Sequence, residues 1–201
     1  MATDLPILRA RHAAAVRISV AVVSEARADD FGRDTPCAGW TLTELLSHMT
    51  AQHRGFAAAA GGVRTDVSSW RPMPLAADPV AEYTDAAREV IEAFADERIG
   101  DREVWLPELS TERPFTGRDA MTFHFIDYVV HSWDVARTLD VPLTVDDDLA
   151  EAALAVALRV PADPSRRGPG FAFGPEVPAK PDASALDRAL AALGRSPSWP
   201  D

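Results

Sequence analysis

The stretch FHFIDYVVHSWDVARTLD, residues 123–140, is apolar enough to be buried yet carries His124, Asp127, His131 and Asp134. At 100° per residue, the first three fall within about 60° of arc on one face of a helix, and Asp134 continues the stripe. A buried polar group is costly unless it is paired, so the stripe needs a partner: a hydrogen-bond network, a charge from another helix, or a metal ion. Asp127 and His131 are four residues apart, so their side chains point the same way and can reach one ion. Carboxylate oxygen and imidazole nitrogen suit zinc and other borderline divalent metals.

Helical bundles build metal sites from such pairs plus a residue on a facing helix. The natural third ligand is His48, mid-way along the segment TLTELLSHMTAQHRGF, on a face shared with Leu45 and Gln52. His53 lies about 140° around the wheel and points elsewhere. An ordinary core histidine and an Asp–His ion pair explain the same spacing, so residue types alone leave both readings open.

Two helical turns separate His124 from His131 by about 10.5 Å, too far for both to hold one ion at ~2.1 Å without strain. His124 is therefore expected to line the pocket or bond a neighbour, with His12 and His53 dispensable for the metal. Asp134 is expected behind the ligands or at a helix contact. Cys37 reads as a small thiol in a tight turn, Glu44 as a capping residue, and Asp146 to Asp148 as a solvated first turn.

The elements that must position these residues open on helix start signals. Asp4 precedes Pro6 and an alanine-rich run; Thr41 and Glu44 have capping-box spacing; Asp78 precedes Pro79; Thr116 and Asp119 repeat the box. These signals predict helices near 5–28, 42–60, 79–98 and 117–139, an all-α four-helix bundle. A shorter helix follows from Thr144 to about Leu158. A proline-rich loop carries a short strand near 171–173, and a last helix begins at Ser184 and stops at Gly194. The chain reads as one domain, a bundle over about 5–140 with an appendage over about 141–201.

The chain has 201 residues, 47% of them hydrophobic and 25% charged, with a formal net charge of −11. That surface repels phosphate backbones and anionic lipid, which argues against nucleic acid and membrane partners. No signal peptide or membrane helix is read, and a single cysteine fits a reducing cytoplasm. No glycine-rich phosphate loop, nucleophile elbow or HExxH motif is present.

Three stretches taken together carry a family resemblance: TPCAGWTLTELLSHM at 35–49, DYVVHSWDVARTLD at 127–140 and FAFGPEVPAKPDASALDRALAALGRSPSW at 171–199. They resemble the actinobacterial metal-binding proteins of the DinB-like superfamily that are similar to the N-terminal domain of mycothiol-dependent maleylpyruvate isomerase. The resemblance implies a four-helix bundle binding a divalent metal, usually zinc, through a histidine on the second helix and an acidic-x-x-x-His pair on the fourth. Those positions fall on His48, Asp127 and His131, with aspartate where the isomerase more often has glutamate. It further implies mycothiol as cosubstrate, a small-molecule thiol meeting an electrophilic substrate in a transferase or isomerase reaction; a homodimer is compatible with it. In the isomerase a C-terminal domain helps enclose the substrate. Here only about sixty residues follow the fourth helix and they look unlike that domain, so the expected activity is a related one. A non-catalytic protein that senses or stores an ion or small molecule is the alternative.

Overall fold

A computed structural model describes residues 4–37, 39–168 and 171–200. Four long helices dominate it: α1 (Leu5–Val23), α2 (Leu42–Ala60), α3 (Pro79–Ala93) and α4 (Gly117–Leu139). Two short helices, α5 (Asp147–Ala157) and α6 (Ala185–Ala192), follow and pack on each other. The expected all-α bundle is therefore the observed one.

Three of the start signals act as read, whereas Asp4 precedes α1 without a side-chain cap hydrogen bond. The Thr41 hydroxyl accepts from the Glu44 backbone N–H while the Glu44 carboxylate accepts from that of Thr41, and Thr116 and Asp119 do the same for α4. Asp78 caps α3 through the N–H of Ala81.

Four boundaries or elements differ from expectation. α1 stops at Val23 rather than near residue 28, where Ser24 turns its hydroxyl back onto Ala21 O and the chain enters a 3₁₀ turn over Ala28–Asp30. α3 stops at Ala93 rather than 98: the Phe94 ring is buried edge-on against His12, drawing the chain inward. α5 is capped by Asp146, not Thr144, since the Asp146 carboxylate reaches the Leu149 N–H at 2.8 Å. Residues 171–173 form no strand; Gly168 N–H donates to Phe173 O in a turn, with Gly168 at φ +103°. The strands are elsewhere, β1 (Glu103–Val104) and β2 (Phe115–Thr116), an antiparallel pair leading into α4. Two residues each is too short to leave a periodicity in sequence.

Contact pairs give the helix directions. Arg9 donates to Ala95 O and Tyr83 to Ser19, so α1 and α3 are antiparallel. His48 faces His131 and His53 faces His124, so α2 and α4 are antiparallel as well. Of the 23 residues in α4, 17 are buried, which makes it the central helix and obliges each of its polar side chains to find a partner inside.

Candidate metal centre

α4 resolves its polar stripe by sending the four residues three ways. His124 turns toward α1 and α2, Asp127 and His131 toward His48, and Asp134 toward the C-terminal segment. The expectation of one stripe facing one site is thus refined: only the middle pair shares it.

Donor atoms of His48, Asp127 and His131 lie within 4.8 Å of one another, and His131 Nε2 is 3.4 Å from Asp127 Oδ1. Ligands about 2.1 Å from a tetrahedral ion are ~3.4 Å apart, so this spacing fits a zinc-sized cation. The other nitrogen of His131 is committed: Nδ1–H donates to Asp134 Oδ2 at 2.9 Å, leaving Nε2 directed at the site. A carboxylate behind a ligating imidazole is the usual device for fixing its tautomer and ring orientation.

Electrostatics match the donor set. Burial, together with the nearby His131, pushes His48 down to about 4, so near neutrality it is the unprotonated imidazole that ligates metals. Burial also pushes His131 down, but Asp127 and Asp134 outweigh it and carry its pKa well above the ordinary histidine value. Two carboxylates flanking one ring make Nε2 a place for positive charge, which a proton or a metal ion supplies.

Asp134 is fully buried, yet the charge of Arg195 and the His131 hydrogen bond bring it down to about 2 against the opposing effect of burial. Arg195 Nε donates to Asp134 Oδ1 at 2.9 Å and Nη2 to Oδ2 at 3.0 Å. The half-buried Cys37 donates its thiol to Asp134 at 3.3 Å and accepts from Arg195 Nη2 at 2.9 Å. Burial and the Asp134 charge push that thiol up, so it is a neutral member of the network. Cys37, His131 and Asp134 also satisfy the spacing for a metal, but they would use His131 Nδ1, whose proton is already given to Asp134.

Around the triad, the Trp40 ring packs 4.9 Å from His48. One turn beyond His48, Gln52 Nε2 donates to Glu108 Oε2 at 2.7 Å, and burial with the Asp127 charge raises the Glu108 carboxyl. Arg195, Glu108 and Trp40 were not legible as site residues: each sits in a loop, and only the tertiary fold brings it to the helices. Arg195 did leave one trace, as a basic residue next to the Gly194 helix stop inside the last of the three resembling stretches.

The remaining histidines form a separate buried chain. His12 Nε2 and His124 Nδ1 are 3.0 Å apart, and His124 Nε2 and His53 Nδ1 3.2 Å. His124 thus bonds its neighbours, as one of the two expected roles had it, and His53 points away from His48.

A family model described as the mycothiol maleylpyruvate isomerase N-terminal domain matches residues 12–136. Two curated relatives, uncharacterized proteins of two Mycobacterium tuberculosis strains, are each 28% identical over 179 residues, covering 88% of this chain and 91% of theirs. Among solved structures, the mycothiol-dependent maleylpyruvate isomerase superposes with a TM-score of 0.62 at 14% identity, and a histidine-to-alanine mutant of it with 0.65 at 13%. Each alignment covers 96% of this chain and 90% of the other. The likeness in fold therefore extends past α4.

Proposed function

This chain belongs to the mycothiol maleylpyruvate isomerase N-terminal domain family, and we propose that it is a zinc- and mycothiol-dependent transferase or isomerase acting on a small electrophile. The observation that carries this reading is the three-residue donor set His48, Asp127 and His131. Three protein ligands leave a fourth position for an exogenous one, the arrangement of catalytic rather than structural zinc.

When bound, the metal supplies the positive charge that lowers the pKa of a thiol and presents it as a thiolate. The chain's own residues supply the rest. His48, Asp127 and His131 would hold the ion, and Asp134 keeps the His131 ring turned toward it. Trp40 gives an apolar wall, and the Gln52–Glu108 pair gives polar groups one turn from His48 for the polar part of a ligand. The relatives whose names mention mycothiol support a thiol cosubstrate. Among the described residues, no helix is long and apolar enough to cross a membrane. We place the protein in the cytoplasm, where small thiols are held reduced.

The test is thiol consumption by purified, untagged, zinc-loaded protein given mycothiol and a panel of electrophiles, wild type beside His131→Ala. Turnover by wild type that His131→Ala abolishes supports the reading. Zinc bound at the site with no thiol consumed and no thiol bound would replace the enzyme by a metal-binding or sensing protein.

A further inference from the structure

We propose that Arg195 is a positioning residue of the metal centre, clamping both oxygens of Asp134 so that His131 Nε2 is held toward His48 and Asp127. The inference rests on the metal reading above and extends it from the bundle to the C-terminal segment.

A buried carboxylate with one partner can turn about its own bond. Asp134 has three, and the guanidinium, contacting Oδ1 at 2.9 Å and Oδ2 at 3.0 Å, fixes its plane as only a two-pronged donor does. With that plane fixed, Oδ2 is the oxygen presented to His131 Nδ1, and Nε2 on the far side of the ring faces Asp127 Oδ1 at 3.4 Å.

The arginine is itself placed with little freedom. Gly194 adopts φ +82°, and a Cβ there would lie 2.7 Å from the Gly174 backbone, so glycine alone makes the turn that delivers residue 195. Arg195 N–H then returns to Leu190 O at 2.9 Å, and Arg137 of α4 donates to Pro197 O at 2.6 Å. The segment is anchored before and after the clamp, on α6 and on α4.

A purely structural ion pair would look similar, and a second buried arginine in the same segment separates the two roles. Arg167 donates to the carbonyls of Val160, Pro161, Gly174 and Ala192 and touches no member of the metal centre. It ties the proline-rich loop to the end of α6 and pairs with Glu176 at 3.6 Å.

The experiment is zinc titration of the full-length chain in competition with a chromophoric chelator, with circular dichroism and thermal unfolding of each variant without metal. Arg195→Met is expected to stay helical and to bind zinc 10–100-fold more weakly, the usual cost of removing support behind a ligand. Arg167→Met is expected to lower the unfolding temperature with zinc affinity unchanged. Should Arg195→Met not fold, Arg195→Lys keeps the buried charge without the two-point contact and is expected to fold and still bind more weakly than wild type. Wild-type zinc affinity in a folded Arg195 variant would overturn this inference alone, as would an equal loss in Arg167→Met. No zinc bound by wild type would overturn the metal reading and this inference with it.

Discussion

His12 Nε2 and His124 Nδ1 meet at 3.0 Å in the middle of the bundle, joining α1 to α4 through two imidazoles that are at most 1% exposed. His124 passes the chain on to His53 of α2, and Tyr128 stacks on both His53 and His124 with ring centroids 4.0 and 4.2 Å away. Phe56, Phe94 and Tyr83 close the surroundings, and among the described residues no charged side chain bonds any of the three rings. Burial pushes His12 down to about 3, and His53 and His124 well below the usual value.

This cluster sets an acid limit on stability. In the unfolded chain these histidines take up protons near pH 6.5, while in the folded one they stay neutral, so below that pH the unfolded state binds more protons. The contribution is full above about pH 6.5 and is lost progressively as pH falls toward the folded value of about 3. Urea unfolding between pH 6.5 and pH 4 is expected to show stability declining as pH falls, with His48 adding to the decline and His131, whose pKa is raised, opposing it. Stability unchanged down to pH 4 would contradict it.

Replacing His12 with leucine tests the same cluster from the other side. It leaves His124 Nδ1 buried without a partner, a cost of about 1–3 kcal/mol. The variant is expected to lose that much at pH 7 and to show a shallower acid decline than wild type. Equal stability at pH 7 would mean that the contact contributes nothing.

Two glycines mark close approaches that a methyl group would block. A Cβ at Gly55 would stand 2.6 Å from the Trp70 ring, and one at Gly117 would stand 2.0 Å from the Ile99 carbonyl oxygen. An indole can shift and a backbone carbonyl cannot without moving the turn before β1. Gly55→Ala is expected to cost about 1–3 kcal/mol, and Gly117→Ala more, in thermal unfolding of the two variants. The reverse order would contradict this account of the packing.

Much of the fold was readable because its signals are local. Thr41 with Glu44, Asp78 with Pro79 and Thr116 with Asp119 each start a helix within one turn of chain, and they do so in the structure. Helix ends were read less well, since Phe94 stops α3 by packing against His12, more than eighty residues away in sequence. The candidate ligands could be proposed because Asp127 and His131 share one helix face and His48 lies on a partner with a matching face. Arg195 could not, because its contact with Asp134 spans 61 residues and depends on a turn at Gly194. His12 and His53 gave no hint of their shared role: each looks like an isolated core histidine until α1, α2 and α4 come together around His124.

A ligand that binds only the folded chain stabilises it by mass action, about 2.7 kcal/mol at a hundred times its dissociation constant. Added zinc is therefore expected to raise the unfolding temperature of wild type, and a chelator to reverse the rise. For His48→Ala the temperature is expected to stay where it is with or without zinc. An equal rise in that variant would place the ion elsewhere.

The most direct test of the central claim is metal content and zinc calorimetry on wild type, His48→Ala, His131→Ala and His124→Ala. The expected result is one zinc per wild-type chain, none retained by His48→Ala or His131→Ala, and most of it retained by His124→Ala. Zinc kept by His131→Ala, or lost from His124→Ala while His48→Ala keeps it, would contradict a centre built on His48, Asp127 and His131.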